Sequence, residues 1–178
     1  MKRNSYIVCL VALFTLQSLA VNQPYVHTFS KTIFAENVGN FSIIGPKQYD
    51  DIGKDISVGY RTISMIELTQ YIYPSNGQEL NEHFDNYKKS LLSNKSKAKL
   101  LSTENVTTKN IPGKFSKFEL NDDFHGMNQK VYSYLYMYKL KGWFIMLRVT
   151  CTTVNNSSIE KEINEYVANM PFPSLEYK

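Results

Sequence analysis

The residues that could do chemistry are few. His27, His83 and His125 lie far apart in the sequence, and none is at metal-ligand spacing from another. Asp122, Asp123 and His125 gather in "DDFHG" (122–126), which could serve as a small acid–base or cation site. The same residue types are what a polar hairpin turn needs for backbone reasons, and that is the favoured reading. Cys151 lies in "FIMLRVTCTT", a strand-like run, and reads as a buried small hydrophobe. A reactive thiol wants an electropositive, exposed setting. No G-x-S-x-G elbow, P-loop or dinucleotide-binding glycine pattern is present. No catalytic residues, cofactor or metal ion are expected, and an enzyme, such as a hydrolase with dispersed residues, is the minority reading.

Arginine and tyrosine carry more. Beyond residue 20 the only arginines are Arg61 and Arg148, and both fall inside predicted strands, as does Glu67. An unpaired charge is costly to bury, so an Arg148–Glu67 or Arg61–Glu67 ion pair is expected. The alternative is a cleft in which an arginine holds an anionic group. In "VYSYLYMYKL" (131–140) Tyr132, Tyr134, Tyr136 and Tyr138 occupy every second position, so a strand puts all four on one face. Tyr71 and Tyr73, of the same parity as each other on an earlier strand, could join that face. The row reads as a core wall whose outer end forms a platform for a ligand or partner. The candidate binding residues are therefore Tyr132, Tyr134, Tyr136, Tyr138, Arg61 and Arg148.

The elements that must position these groups follow from periodicity. Residues 21–32 read as an irregular lead-in and 39–55 as a turn-rich stretch punctuated by Gly39, Gly45, Pro46 and Gly53. Residues 55–62 and 63–74 read as two strands or one long bent one. Residues 77–101 read as a helix, with Leu80, Phe84, Tyr87, Leu91 and Leu92 on one stripe and Ser75 or Asn76 as its cap. Strands return in 103–112, 114–122, 128–140 and 143–153, with Lys141-Gly142 as a two-residue turn. Residues 155–170 form the last helix, buried through Ile159, Ile163, Tyr166 and Val167. Strands that follow one another without alternating helices give a mainly antiparallel sheet with helices packed on it, a single α+β domain.

That order, and the hairpin "YLYMYKLKGWFIMLRVT" with its "GWFIMLRVT" stretch ahead of a C-terminal helix, resembles the PsbP-like superfamily over about residues 40–172. The superfamily includes PsbP of the oxygen-evolving complex, a nuclear Ran-binding protein and the periplasmic DcrB group. The resemblance implies an α+β fold and a non-enzymatic accessory or binding role, and it carries over no site residues.

The ends and the charge set the compartment. "MKRNSYIVCLVALFTLQSLA" (1–20) has a positive start, a short apolar run and small residues before position 21, the pattern of a cleaved secretory signal. The run is shorter than the about 20 residues a membrane span needs. A secreted or periplasmic protein of one domain, residues 21–178, is expected, with no membrane span after cleavage. Cys151 then has no intrachain partner. The net charge of +4 includes Lys2 and Arg3, and the cluster "NKSKAK" (94–99) is no concentrated basic stripe, so nucleic acid is not an expected partner. The expected partner is a protein, an envelope component or a small ligand. The five Asn-x-Ser/Thr sequons, at Asn40, Asn94, Asn105, Asn155 and Asn156, matter only in a glycosylating host.

Overall fold

Hydrophobic alternation over the second half of the chain builds one long antiparallel meander. The computed structural model describes residues 23–154 and 156–174, so the segment 1–20 expected to be a secretory signal lies outside the described residues. In chain order the elements are β1 (Tyr25–Val26), β2 (Ile33–Phe34), β3 (Asn37–Val38), β4 (Phe41–Gln48), β5 (Ile56–Arg61), β6 (Glu67–Pro74), α1 (Leu80–Asn94), β7 (Lys99–Thr108), β8 (Ile111–Phe124), β9 (Met127–Leu140), β10 (Trp143–Thr152) and α2 (Asn156–Asn169). β1 and β2 form a small ribbon. The other eight strands form one antiparallel sheet in the order β3-β4-β5-β6-β10-β9-β8-β7. After β6 the chain crosses through α1 to the far edge. It then returns strand by strand until β10 pairs with β6.

Three two-residue turns drive that return. Lys109-Asn110, His125-Gly126 and Lys141-Gly142 each place both residues at positive φ, the primed geometry whose twist matches a hairpin. His125 thus sits in a tight turn, the favoured reading of "DDFHG".

One helix covers each face. α2 packs through Ile159, Ile163 and Tyr166 on a large core that includes Phe41, Tyr60, Leu68, Ile72, Tyr138, Ile145 and Val149. α1 packs through Phe84 and Leu91 on a smaller core with Phe118, Leu120, Val131, Leu135, Met137 and Met146. The architecture is a single α+β domain. No helix among the described residues is long and apolar enough to cross a membrane.

Several boundaries differ from the sequence expectation. The turn-rich segment 39–55 contains β4, which tolerates Gly45 and Pro46 because its register slips between Ile43 and Gly45. α1 starts at Leu80 with Glu79 at its N-cap and no side-chain cap, since Ser75 and Gln78 close a separate turn. α1 ends at Asn94 and not near residue 101, so Leu100 and Leu101 lie in the edge strand β7. The lead-in is not irregular throughout. His27, only 1 % exposed, accepts from the Ser30 N–H and hydroxyl at Nδ1 and donates from Nε2 to the Gly53 carbonyl at 2.8 Å, tying the ribbon to the β4–β5 loop.

Candidate functional site

Register decides which predicted groups meet. Tyr134 lies opposite Val149 and Lys117, Tyr136 opposite Leu147 and Phe115, and Tyr138 opposite Ile145 and Gly113. The tyrosine row therefore shares the α2 face with Leu68, Gln70 and Ile72 of β6. Tyr71 lies opposite Met146, and Met146 opposite Met137, which puts Tyr71 and Tyr73 on the α1 face with Leu80 and Tyr87. They do not join the row. Parity within a strand is readable from sequence, but parity between strands depends on register.

The arginines also lie across the sheet from the row. Arg148 is opposite Leu135 and Thr69, and Arg61 is opposite Glu67, both on the α1 side. A single cleft lined by Tyr132–Tyr138 and an arginine is not formed. The expected ion pairs to Glu67 are absent among the described residues: Glu67 instead approaches His125 Nδ1 at 3.7 Å. Arg148 Nε is shut off from solvent and meets no acceptor among the described residues.

On the α2 face a groove of about 420 Å³ opens between α2 and strands β7–β9. Its floor is Phe115, Tyr134 and Tyr136; Val106 and Thr108 of β7 form one wall, and Ile163 and Val167 of α2 form the other. At one end Lys117 donates to Glu160 at 2.7 Å, and its ammonium lies 4.4 Å from the Tyr132 ring centroid and 5.2 Å from that of Tyr134. The Tyr134 hydroxyl donates to the same Glu160 oxygen at 3.4 Å. Phe115 and Tyr136 pack ring to ring at 4.7 Å. Burial raises the hydroxyl pKa of both Tyr134 and Tyr136, with neighbouring acidic and phenolic groups adding to it.

The row thus divides. Tyr138 is fully buried, donates or accepts with Thr108 at 2.9 Å and packs edge-on against Phe172. Tyr132 is half-buried under Lys117. Tyr134 and Tyr136, 3 % and 7 % exposed, offer their outer atoms to the groove. Cys151 is buried beneath, and burial pushes its thiol up to about 11, far from a reactive thiolate.

Residues that sequence reasoning passed over complete the site. Glu160 and Phe115 sit at expected helix and strand positions, but only the β8–β9 register and the docking of α2 bring them beside the tyrosines. Gln70, fully buried in β6, donates to the Pro171 carbonyl at 2.7 Å and accepts from the Tyr166 hydroxyl at 3.1 Å. A lone glutamine in an apolar strand was its available signal. Lys109 donates to the carbonyls of Asn169 and Met170, holding the C-terminal end of α2 over the groove.

No family model and no curated protein matches the sequence. Solved structures match the fold. CyanoP, the cyanobacterial PsbP from Synechocystis, superposes with a TM-score of 0.54 at 10% identity, over 91% of this chain and 99% of that one. PA94 from Pseudomonas aeruginosa, a protein of unknown function, superposes at 0.51 with 7% identity, over 83% of this chain and 94% of that one. The fold is PsbP-like, as the element order and the hairpin implied.

Proposed function

We propose that the chain is an exported, secreted or periplasmic accessory module that binds a segment of a partner protein in the groove between α2 and β7–β9, without catalysis. The observation that carries this reading is the groove itself, floored by Phe115, Tyr134 and Tyr136 and bordered by an edge strand. Aromatic side chains concentrate in interface cores because they bury much area for few rotors. β7 is ten residues long and pairs on one side only, so its outer backbone groups remain available to an extended segment. The groove's ionisable groups are poorly suited to acid–base work near neutral pH. The tyrosine hydroxyls are shifted upward, and the Glu160 carboxylate is committed to Lys117. The PsbP-like fold is compatible with this reading but does not choose a partner.

Site-specific photocrosslinking in the native cell tests it. A benzophenone side chain at Glu104, on the groove rim, should give a discrete adduct that Val106→Asp removes. The same probe at Asp85, on the exposed side of α1, should give none. No adduct from Glu104, or equal adducts from both positions, rejects the groove as the binding site. Export is tested separately by mass spectrometry, which should find a chain beginning at Val21; a retained Met1 rejects it.

A further inference from the structure

The α1 face holds a charge that the groove does not use. Arg148 stands on β10, in the interior of the eight-stranded sheet, with Thr69 and Leu135 as its cross-strand neighbours. It makes no hydrogen bond or ion pair among the described residues, and its Nε is closed to solvent. The nearby carboxylates are engaged elsewhere. Asp122 accepts from Lys95 through both oxygens at 2.7 and 2.8 Å, and Glu67 faces His125. Arg148 as a whole is only partly buried, so it is the Nε–H alone that is withdrawn from water without an acceptor, which is unfavourable.

Two hollows of about 180 Å³ each flank the guanidinium, and they differ in charge. One is lined by Glu67, Thr69, Tyr71, Asp122 and Thr150, whose carboxylates repel an anion. The other, beneath the C-terminal turns of α1, is lined by Tyr87, Ser90, Leu91, Asn94 and Lys95 and contains no carboxylate. The helix C-terminus favours a cation there and works against an anion, so Arg148 and Lys95 together must outweigh it, and no helix carbonyl accepts from the Arg148 Nε. Lys95 spends two of its three N–H donors on Asp122 and keeps one. The Arg148 guanidinium, one Lys95 ammonium donor and the Tyr87 and Ser90 hydroxyls therefore border a single small space, beside the Asn94 amide, which donates to Ser90 Oγ at 3.0 Å. A carboxylate would be satisfied by the guanidinium alone. A tetrahedral anion has oxygens for the remaining donors as well.

We propose that this hollow binds a phosphate-type oxyanion, free or as the end group of a phosphomonoester, on Arg148 and Lys95. The site is independent of the groove, because it lies on the opposite face of the sheet.

Proton–nitrogen correlation spectra of the arginine Nε–H groups provide the test, since the chain has only Arg3, Arg61 and Arg148. Inorganic phosphate is titrated at constant ionic strength, with sodium acetate as the comparison. The Arg148 Nε–H should shift saturably with phosphate while Arg61 stays in place. Ser90→Asp, an exposed helix substitution that spares the core, supplies an internal anion and should weaken phosphate binding about tenfold or more. Glycerol phosphate then separates the two sources: tighter binding than inorganic phosphate identifies an esterified ligand, and equal or weaker binding identifies the free anion. An Arg148 signal that does not move, that moves equally with acetate, or that responds unchanged in Ser90→Asp overturns the proposal.

Discussion

The two faces of the sheet are built from the same strands and solve the same problem differently. On the α2 face three fully buried tyrosines have their polar ends satisfied. Tyr60 donates to the Ala35 carbonyl, Tyr138 pairs with Thr108, and Tyr166 donates to Gln70. On the α1 face the core is smaller, and both buried side-chain polar atoms that lack a partner among the described residues, Ser133 Oγ and Arg148 Nε, lie there. A face whose polar groups are closed into the fold resists rearrangement, whereas a face with open polar groups is held mainly by apolar packing. The contrast assigns most of the cohesion to α2 and its core, and the unspent donors to α1.

The strongest way to break that comparison is to remove one aromatic anchor from each helix. Tyr166 packs edge-on against Phe41 and Tyr60 at 5.2 and 5.3 Å and is the donor to Gln70. Tyr166→Ala should destabilise by about 4–5 kcal/mol, because a cavity and an unsatisfied acceptor arise together. Phe84→Ala, which opens only a cavity under α1, should cost about 3 kcal/mol. Urea unfolding of the two variants measures the difference, and a Phe84 effect equal to or above that of Tyr166 would place the cohesion on the wrong face.

Glycines sharpen the same contrast. A Cβ on Gly113 would point to the α2 face and run into the Tyr138 ring and the Met137 carbonyl. A Cβ on Gly59 points to the α1 face and meets nothing closer than 3.6 Å, from Ile44. Gly113→Ala should lose about 2–3 kcal/mol through overpacking. Gly59→Ala should stay within about 0.5 kcal/mol of the parent or gain slightly from a less flexible unfolded chain. Thermal unfolding by circular dichroism distinguishes these outcomes, and equal losses would mean the faces are packed alike.

These pairs also show what was legible in the sequence. The row Tyr132–Tyr138 could be placed on one face because alternation in a strand is local, and the helix stripes could be read because their period is local too. The assignment of Tyr71 and Tyr73 to that face failed because it needed the β6–β10 register, which puts Tyr71 opposite Met146. Arg148 could be flagged as an expensive strand residue, but its lack of a partner depends on Asp122 being held by Lys95, a pairing 27 residues apart. The groove was not legible, since it depends on where α2 docks, which Lys109 and Gln70 help to fix through contacts distant in sequence. Strand β4 was hidden by Gly45 and Pro46, which a bulge accommodates and local propensity disfavours.

A smaller effect separates the faces by pH. His27, against Trp143 on the α2 side, and His83, stacked on Phe144 at 4.3 Å on the α1 side, both have pKa values lowered by burial. For His27 the Gly53 carbonyl and the Asp50 carboxylate oppose that shift in part. In the unfolded chain an imidazole titrates near about 6.5, so between the folded and unfolded values the unfolded chain binds more protons and stability rises with pH. The stabilisation is complete above about pH 6.5 and is lost as pH falls through the folded values. Comparing denaturant midpoints at about pH 7.5 and about pH 5, above the main carboxylate range, should show a loss in the parent chain. His27→Gln and His83→Gln should each remove part of that loss, because the Ser30 N–H meets Nδ1 of His27 and the Tyr73 hydroxyl meets Nε2 of His83 at 2.8 Å. A loss unchanged in both variants would assign it to other groups.

The smallest test concerns the lysine–carboxylate pair that ties β8 to the helix on each face. Lys95, at the end of α1, meets Asp122 of β8, and Lys117 of β8 meets Glu160 of α2, each at 2.7 Å. Both pairs are partly exposed, so each should contribute less than about 1 kcal/mol. They should not be equal. Lys117 also lies over the Tyr132 and Tyr134 rings, a contact that Lys95 lacks among the described residues. A double-mutant cycle of Lys117→Met with Glu160→Gln isolates the ion pair. The part of the Lys117→Met effect that persists in the Glu160→Gln background reports the ring contact, expected at about 0.5 kcal/mol. The parallel cycle of Lys95→Met with Asp122→Asn should leave no such remainder. A remainder on the Lys95 side, or none on the Lys117 side, would mean that the aromatic face does not hold its helix through the tyrosines at the groove.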